Sequence, residues 1–270
     1  MPFHVLTTPD GSRWTEFHRV EGGYVLRFPD LADFAVSANG FDIVAFPAPG
    51  VADSTAQHLY VNQVLPLAQS KQGRPVFHGS AVEVDGEAIA FIAGSGCGKS
   101  TLAATFARSG CRFLTDDGLM VAPAEHNWLV EPGHPSIRLW TDSEQALLGS
   151  GMPRAPALPF TAKARFVAGE RLPFCNEPRP LHRAYFLGNG ETPDIVIRSL
   201  TARNAMMAWV RHSFLLDVDE QLPLTRHFEQ VARLACEPIH FELDYPRRFD
   251  ELDRVLRAIF HHAGTSGSVA

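Results

Sequence analysis

The sequence predicts an α/β fold: a mixed sheet carrying a phosphate-binding loop, with helices against it and a small β-rich layer at the N-terminus. Three observations predict it. The stretch EAIAFIAGSGCGKST is a short apolar strand running into AGSGCGKS, a glycine-rich phosphate loop with alanine at its first position, and TLAATFARS after it reads as a helix. Just upstream, VEVDGEAIAFI places Asp85-Gly86 between alternating apolar stretches, a strong hairpin signal. From residue 180 onward, short β-branched runs alternate with helices of apolar period 3.6.

The elements follow in order. Residues 1–50 hold strand candidates at 24–28, 34–36 and 43–46, divided by Asp-Gly, Asn-Gly and Pro turns, and form the β-rich N-terminal region. Asp53 or Ser54 is placed to cap a helix whose apolar side is Leu59, Val64, Leu65 and Ala68, and Pro66 should kink it or end it early. The nucleotide core spans about 76–123. There the helix after the loop closes at Gly110, and CRFLTDD is an apolar strand ending in the acids Asp116 and Asp117. That strand should return to the same edge of the sheet and set the carboxylates beside Ser100. Residues 123–180 are proline-rich with poor periodicity. A stretch of this kind inside a compact enzyme is more often functional than decorative. Strands are expected at 181–187, 195–197 and 239–243. Helices are expected at 201–214 (with Trp209 and the Met206-Met207 pair in the core), 224–236 and 249–260. Residues 51–262 are expected to form the nucleotide-binding domain and 263–270 a disordered tail.

Composition narrows the function classes. Thirty acidic against 24 basic residues, a formal charge of −6, argues against broad binding of nucleic acid or anionic membrane. Nothing approaches the 18 or so apolar residues of a membrane span, and MPFHVLTTPDGSRW carries neither a basic leader nor an export-length apolar run. The four cysteines, at 97, 111, 175 and 236, form no CxxC pair and read as reduced thiols of a cytoplasmic protein.

The loop residues Gly94, Ser95, Gly96, Cys97, Gly98, Lys99, Ser100 and Thr101 explain themselves chemically. The glycines let the backbone turn tightly and offer N–H groups to a polyphosphate, whose charge is further favoured at a helix N-terminus. Lys99 can reach the β- and γ-phosphates, and Ser100 can place its hydroxyl on Mg²⁺. Cys97 reads as a filler. The loop by itself specifies a nucleoside triphosphate and leaves the acceptor open.

The spacing of His78-Gly79, the hairpin, Lys99-Ser100 and Asp116-Asp117 resembles the catalytic core of the HPr serine kinase/phosphorylase family. The chain looks more like the short, stand-alone HPr-kinase-like proteins encoded beside lasso-peptide genes. HLYVNQVLPLAQSKQGRPVFHGSAVEV before the loop and PGHPSIRLW after the acids carry that likeness. It covers roughly residues 55–140, with weaker similarity to about 260. The resemblance implies a P-loop HPr-kinase-like core using ATP and Mg²⁺. It assigns Asp116 as the base that takes the acceptor's proton, Asp117 with Ser100 to metal and water, and His78 to the active site. Thr101 and Ser136 stand where those enzymes carry acidic residues, which implies a kinase without the reverse, phosphate-dependent reaction. Arg138, in PGHPSIRLW, and Lys163, which matches a lysine recurring in the lasso-associated relatives, are candidates to clamp the triphosphate or an acidic group of the acceptor. The alternative for such side chains is a solvated, turn-rich surface.

The reading is therefore an ATP-dependent serine kinase acting on a peptide or small protein, of which a lasso precursor peptide is the specific case. A kinase of a small hydroxyl metabolite and a nucleotide-gated regulatory ATPase are the alternatives. A carboxylate within hydrogen-bond reach of the acceptor favours transfer over gating, because a serine hydroxyl is a poor nucleophile until its proton has somewhere to go. Purine preference and oligomeric state have no signature in the sequence.

Overall fold

The computed structural model describes residues 1–8, 10–149, 151–158 and 160–265. They form two compact units, one of Met1–Arg74 with Phe214–Leu224 and one of Pro75–Ser213 with the chain from Thr225 onward.

The first unit is an antiparallel meander of β1 (His4–Thr7), β2 (Arg13–Val20), β3 (Gly23–Phe28), β4 (Ala32–Ser37) and β5 (Ile43–Pro47), each strand pairing with the next. Alternation puts Phe17, Leu26, Phe28, Phe34 and Val36 on its buried side. The sequence signalled three of these strands. β2 (RWTEFHRV) escaped because its buried run includes Thr15 and Glu16, polar residues that hide the period. The helical stretch expected with the nucleotide-binding domain groups here: α1 (Asp53–Leu59), a π-turn over Tyr60–Val64, and α2 (Leu65–Lys71). The cap falls on Ala52, without a side-chain bond, rather than on Asp53 or Ser54. Pro66 does not end the helix. It sits in the first turn of α2, directly after the π-turn, where its missing N–H and fixed φ cost little. The returning segment 214–224 is tied into this unit by Asp217, fully buried, which accepts from Arg19 Nη2 at 2.6 Å and from Tyr24 at 3.2 Å, and by Glu220, 2.5 Å from Lys71 Nζ.

The second unit is built on an eight-stranded mixed sheet. Its strands are β6 (Val76–Val84), β7 (Glu87–Ile92), β8 (Arg112–Thr115), β9 (Gly118–Pro123), β10 (Trp128–Val130), β13 (Arg179–Leu187), β14 (Val196–Ser199) and β15 (His240–Asp244). Asp85 and Gly86, both at positive φ, turn the β6–β7 hairpin as the Asp-Gly signal requires. β7, β13 and β15 run parallel, while β6 is antiparallel to β7. β7 is buried on both faces, as central parallel strands are. Ile89 and Phe91 pack with α3 (Lys99–Arg108) and α7 (Leu252–Ala263) on one face. Ala88, Ala90 and Ile92 pack with α5 (Ala202–Arg211) and α6 (Gln221–Ala235) on the other.

The proline-rich stretch is more regular than its composition suggests, holding β11 (Ser136–Leu139), α4 (Thr141–Leu147) and β12 (Ala164–Val167), with β11 and β12 paired. Trp209 is fully buried as expected, but of the methionine pair only Met206 packs inward and Met207 is exposed. The tail expected to be disordered begins as structure: Ala263 ends α7, Gly264 caps it at positive φ, and the Thr265 N–H donates to Phe260. The remainder of that tail lies outside the described residues. No helix among the described residues is long and apolar enough to cross a membrane, and all four cysteines are free thiols.

Candidate functional site

β7 ends at Ile92 and the glycine loop carries the chain into α3. Gly96 and Gly98 take φ of +81° and +90°, so these two do the left-handed turning. Gly94 does not adopt positive φ, and its carbonyl instead accepts from Lys99 Nζ at 2.9 Å. Lys99 is 4% exposed. Burial pushes its pKa down to about 8, opposed by the charge of Asp116.

β8 and β9 run along one edge of β6 almost as a single strand: Glu83 pairs with Arg112 and Ala81 with Thr115, then His78 with Gly118 and Val76 with Met120. Asp116 and Asp117 form the break between them. Asp117 turns at φ +67°, and its carbonyl accepts from Gly79 N–H. The expected return to the same sheet edge is thus present; the ladder shifts by one residue at Leu114, just before the acids, and keeps its count across them. Bulges are found beside active sites because they re-aim a side chain. Here Asp116, two residues past the bulged Leu114, reaches the loop: Oδ1 accepts from Ser100 Oγ at 2.7 Å and from the buried Ser80 Oγ at 2.6 Å, and Oδ2 accepts from the Arg138 N–H at 3.0 Å.

Asp117 faces a different partner, since its carboxylate pairs with the Arg138 guanidinium. Asp117 is the acid expected with Ser100 at the metal, whereas it is Asp116 that touches Ser100. Two hard oxygens, Ser100 Oγ and Asp116 Oδ1, lie side by side, which fits Mg²⁺ in its phosphate-transfer form. That ion takes one or two protein carboxylates and completes its shell with phosphate and water. Among the described residues no group of three His, Cys, Asp or Glu side chains could hold a metal by itself.

Arg138 and Lys163 come into the same pocket as Lys99. Burial pushes both below their ordinary values. Lys163 Nζ also lies 5.5 Å from the Trp140 ring centre. Thr101 meets Ser143 of α4, hydroxyl to hydroxyl at 3.2 Å. His78 is the outlier. It stands on β6, its backbone N–H donates to the His212 carbonyl at 2.7 Å, and burial with the nearby Lys99 charge drives its pKa down to about 3. It is therefore a neutral imidazole at ordinary pH, able to exchange hydrogen bonds but carrying no charge. Ser95 and Cys97 sit on the outside of the loop, Ser95 exposed and Cys97 partly so.

The sequence reading missed one wall of this pocket, supplied by Tyr245, Arg247, Arg248 and Phe249 just after β15. The signal present was Y-P-R-R-F at a strand end, two cations flanked by aromatics. Taken together, the loop can hold a polyphosphate, Lys99, Arg138 and Lys163 can neutralise it, and a carboxylate stands at the Ser100 hydroxyl.

No family model matches the chain. No curated protein sequence matches it. Among solved structures, the HPr(Ser) kinase/phosphatase from Coxiella burnetii is similar at 10% sequence identity and a TM-score of 0.34, over 69% of this chain and 98% of that one. The reading of the site rests on its own geometry.

Proposed function

We propose that this protein is an ATP-dependent kinase that transfers the γ-phosphoryl group of Mg–ATP to a serine hydroxyl of a peptide or small protein. The observation that carries the reading is the hydrogen bond from Ser100 Oγ to Asp116 Oδ1, which sets an acid at the phosphate-loop hydroxyl that would hold Mg²⁺. The residue-spacing likeness to HPr serine kinases supports the same reading and suggests a lasso precursor peptide as acceptor.

The residues divide the work as phosphoryl transfer demands, by positioning and charge neutralisation. The loop and Lys99 hold the β- and γ-phosphates; Arg138 and Lys163 add positive charge over the equatorial oxygens. Ser100 Oγ and Asp116 Oδ1 would hold magnesium when it is bound with the nucleotide, and the ion would add positive charge at the phosphates. Asp116 accepts the acceptor's proton as the oxygen attacks. Its orientation is fixed by Ser80, Ser100 and the Arg138 amide, so the side chain does not reorganise during the step. Asp117 acts through Arg138, holding the guanidinium over the site.

The test is to incubate purified protein and Mg–ATP with peptides ending in serine, threonine or alanine, and to follow both peptide mass and ADP. Phosphorylation of the serine peptide that is lost in Lys99→Ala supports the reading. ADP release without peptide phosphorylation would make the protein a nucleotide-hydrolysing regulator instead.

A further inference from the structure

Three parallel strands, β7, β13 and β15, end on the same side of the sheet. The phosphate loop follows β7. The acids lie toward β6, on one flank of β7, and β13 and β15 lie on the other. In open α/β sheets, ligands sit in the crevice outside the carboxyl ends of the strands. A nucleotide whose phosphates rest on the β7 loop and whose γ end points to Asp116 has its base directed to the opposite flank, where β15 delivers residues 245–249.

That segment is built as a fixed wall. Tyr245 is buried, and its hydroxyl lies where a Cβ on Gly98 would approach it to 3.3 Å, so it packs against the loop. The Arg247 guanidinium lies 3.9 Å over the Tyr245 ring and donates to the Gly188 carbonyl at 2.7 Å. Gly190, at φ +82°, leaves room for the Arg247 stem, which a Cβ would meet at 2.4 Å. Asp244 Oδ1 fastens the same corner by accepting from the Gly190 and Tyr245 amides at 2.8 and 3.0 Å. Phe249, the next aromatic residue, is left 41% exposed and lines the same pocket as the loop. An exposed ring on a braced segment, facing a polyphosphate site, suits a flat heteroaromatic ring.

We propose that residues 245–249 form the base-side wall of the nucleotide site and that Phe249 is the platform on which the base stacks. This rests on the nucleotide reading above and adds to it the group that distinguishes a nucleotide from a bare polyphosphate. Base–aromatic stacking changes affinity on the order of ten- to a hundredfold when the ring is removed.

The experiment is calorimetric titration of the full chain with Mg–ATP and, separately, with magnesium tripolyphosphate. Phe249→Ala should weaken Mg–ATP binding on the order of ten- to a hundredfold and leave tripolyphosphate unchanged, and Phe249→Trp should restore ATP binding. Equal weakening of both ligands would mean that Phe249 only braces the loop, and unchanged ATP binding would mean that the base lies elsewhere; either overturns the proposal. Lys99→Ala separates the two levels. Loss of both ligands in Lys99→Ala, with ATP binding intact in Phe249→Ala, leaves the kinase reading standing and removes this one. A wild-type chain that binds neither ligand removes both.

Discussion

Replacing Lys99 by methionine should stabilise the ligand-free protein while abolishing its response to nucleotide. Lys99 is 4% exposed, and burial lowers its pKa from an ordinary 10.5 to about 8. At about 1.4 kcal/mol per pH unit, that drop means the folded chain spends about 3 kcal/mol at neutral pH to keep the charge in place. Methionine keeps most of the stem's packing and removes the charge. For a unit of this size the gain corresponds to a rise in Tm of roughly 5 °C or more. The sign of the pH dependence follows from the depressed value. Between pH 8 and 10.5 the unfolded chain holds the lysine proton and the folded chain has released it, so wild-type stability rises with pH across that window. The gap between methionine variant and wild type is therefore largest near pH 7 and closes towards pH 10. With Mg–ATP at a hundred times its Kd, wild type should gain about 2.7 kcal/mol by mass action and the variant nothing. Thermal unfolding at pH 7 and 9.5, with and without Mg–ATP, measures all of this. A methionine variant no more stable than wild type at pH 7, or a gap of equal size at both pH values, would refute the reasoning about the buried charge.

Other perturbations probe the remaining parts. Asp116→Asn should keep Mg–ATP affinity within about tenfold while lowering transfer by roughly 10²–10⁴, the scale of a lost general base; full recovery at high Mg²⁺ would show that the carboxylate serves the metal alone. Asp117→Asn leaves Asp116 on Ser100 but removes the anion from Arg138, so it should raise the KM for Mg–ATP more than it lowers kcat, and the opposite split would place Asp117 at the reacting atoms. Phosphorylated acceptor incubated with Mg²⁺ and millimolar phosphate should yield no pyrophosphate, because Thr101 is turned to Ser143 and the Ser136 hydroxyl to His134, 2.9 Å away, and neither adds a carboxylate; stoichiometric pyrophosphate would restore the bifunctional model. Gly190→Ala should destabilise by about 1–3 kcal/mol more than Gly110→Ala, since both sit at positive φ but only Gly190 has Arg247 in the way; equal losses in urea unfolding would show that the stem moves aside freely.

What the sequence revealed was whatever is encoded locally. The strand–loop–helix, the Asp-Gly hairpin and the apolar strand running to two acids each announce themselves within about fifteen residues, and each is found where expected. Contacts that join distant stretches were silent. Arg138 on Asp117, and residues 245–249 beside a loop some 145 positions earlier, depend on β11 and β15 reaching places that no local pattern states. Within the acid pair, a positive φ at Asp117 sends the two carboxylates to different partners. Sequence alone treats neighbouring aspartates as near equivalents, because nothing in two adjacent letters marks a left-handed turn. The proline content of 123–180 misled in the other direction, since prolines at loop positions leave room for short strands between them.

The one-residue shift at Leu114, just before the acids, has an engineering consequence. The β8–β9 run that pairs with β6 also presents the acid, so the two duties share one register. Deleting the extra residue would let the ladder run on without interruption, and it would also flip the side chains beyond it, Asp116 included, to the opposite face. A library selected only for thermal robustness that regularises this ladder should therefore yield variants that are sturdier and inert. The irregularity marks the place where the ladder is left imperfect so that one carboxylate can reach the phosphate loop.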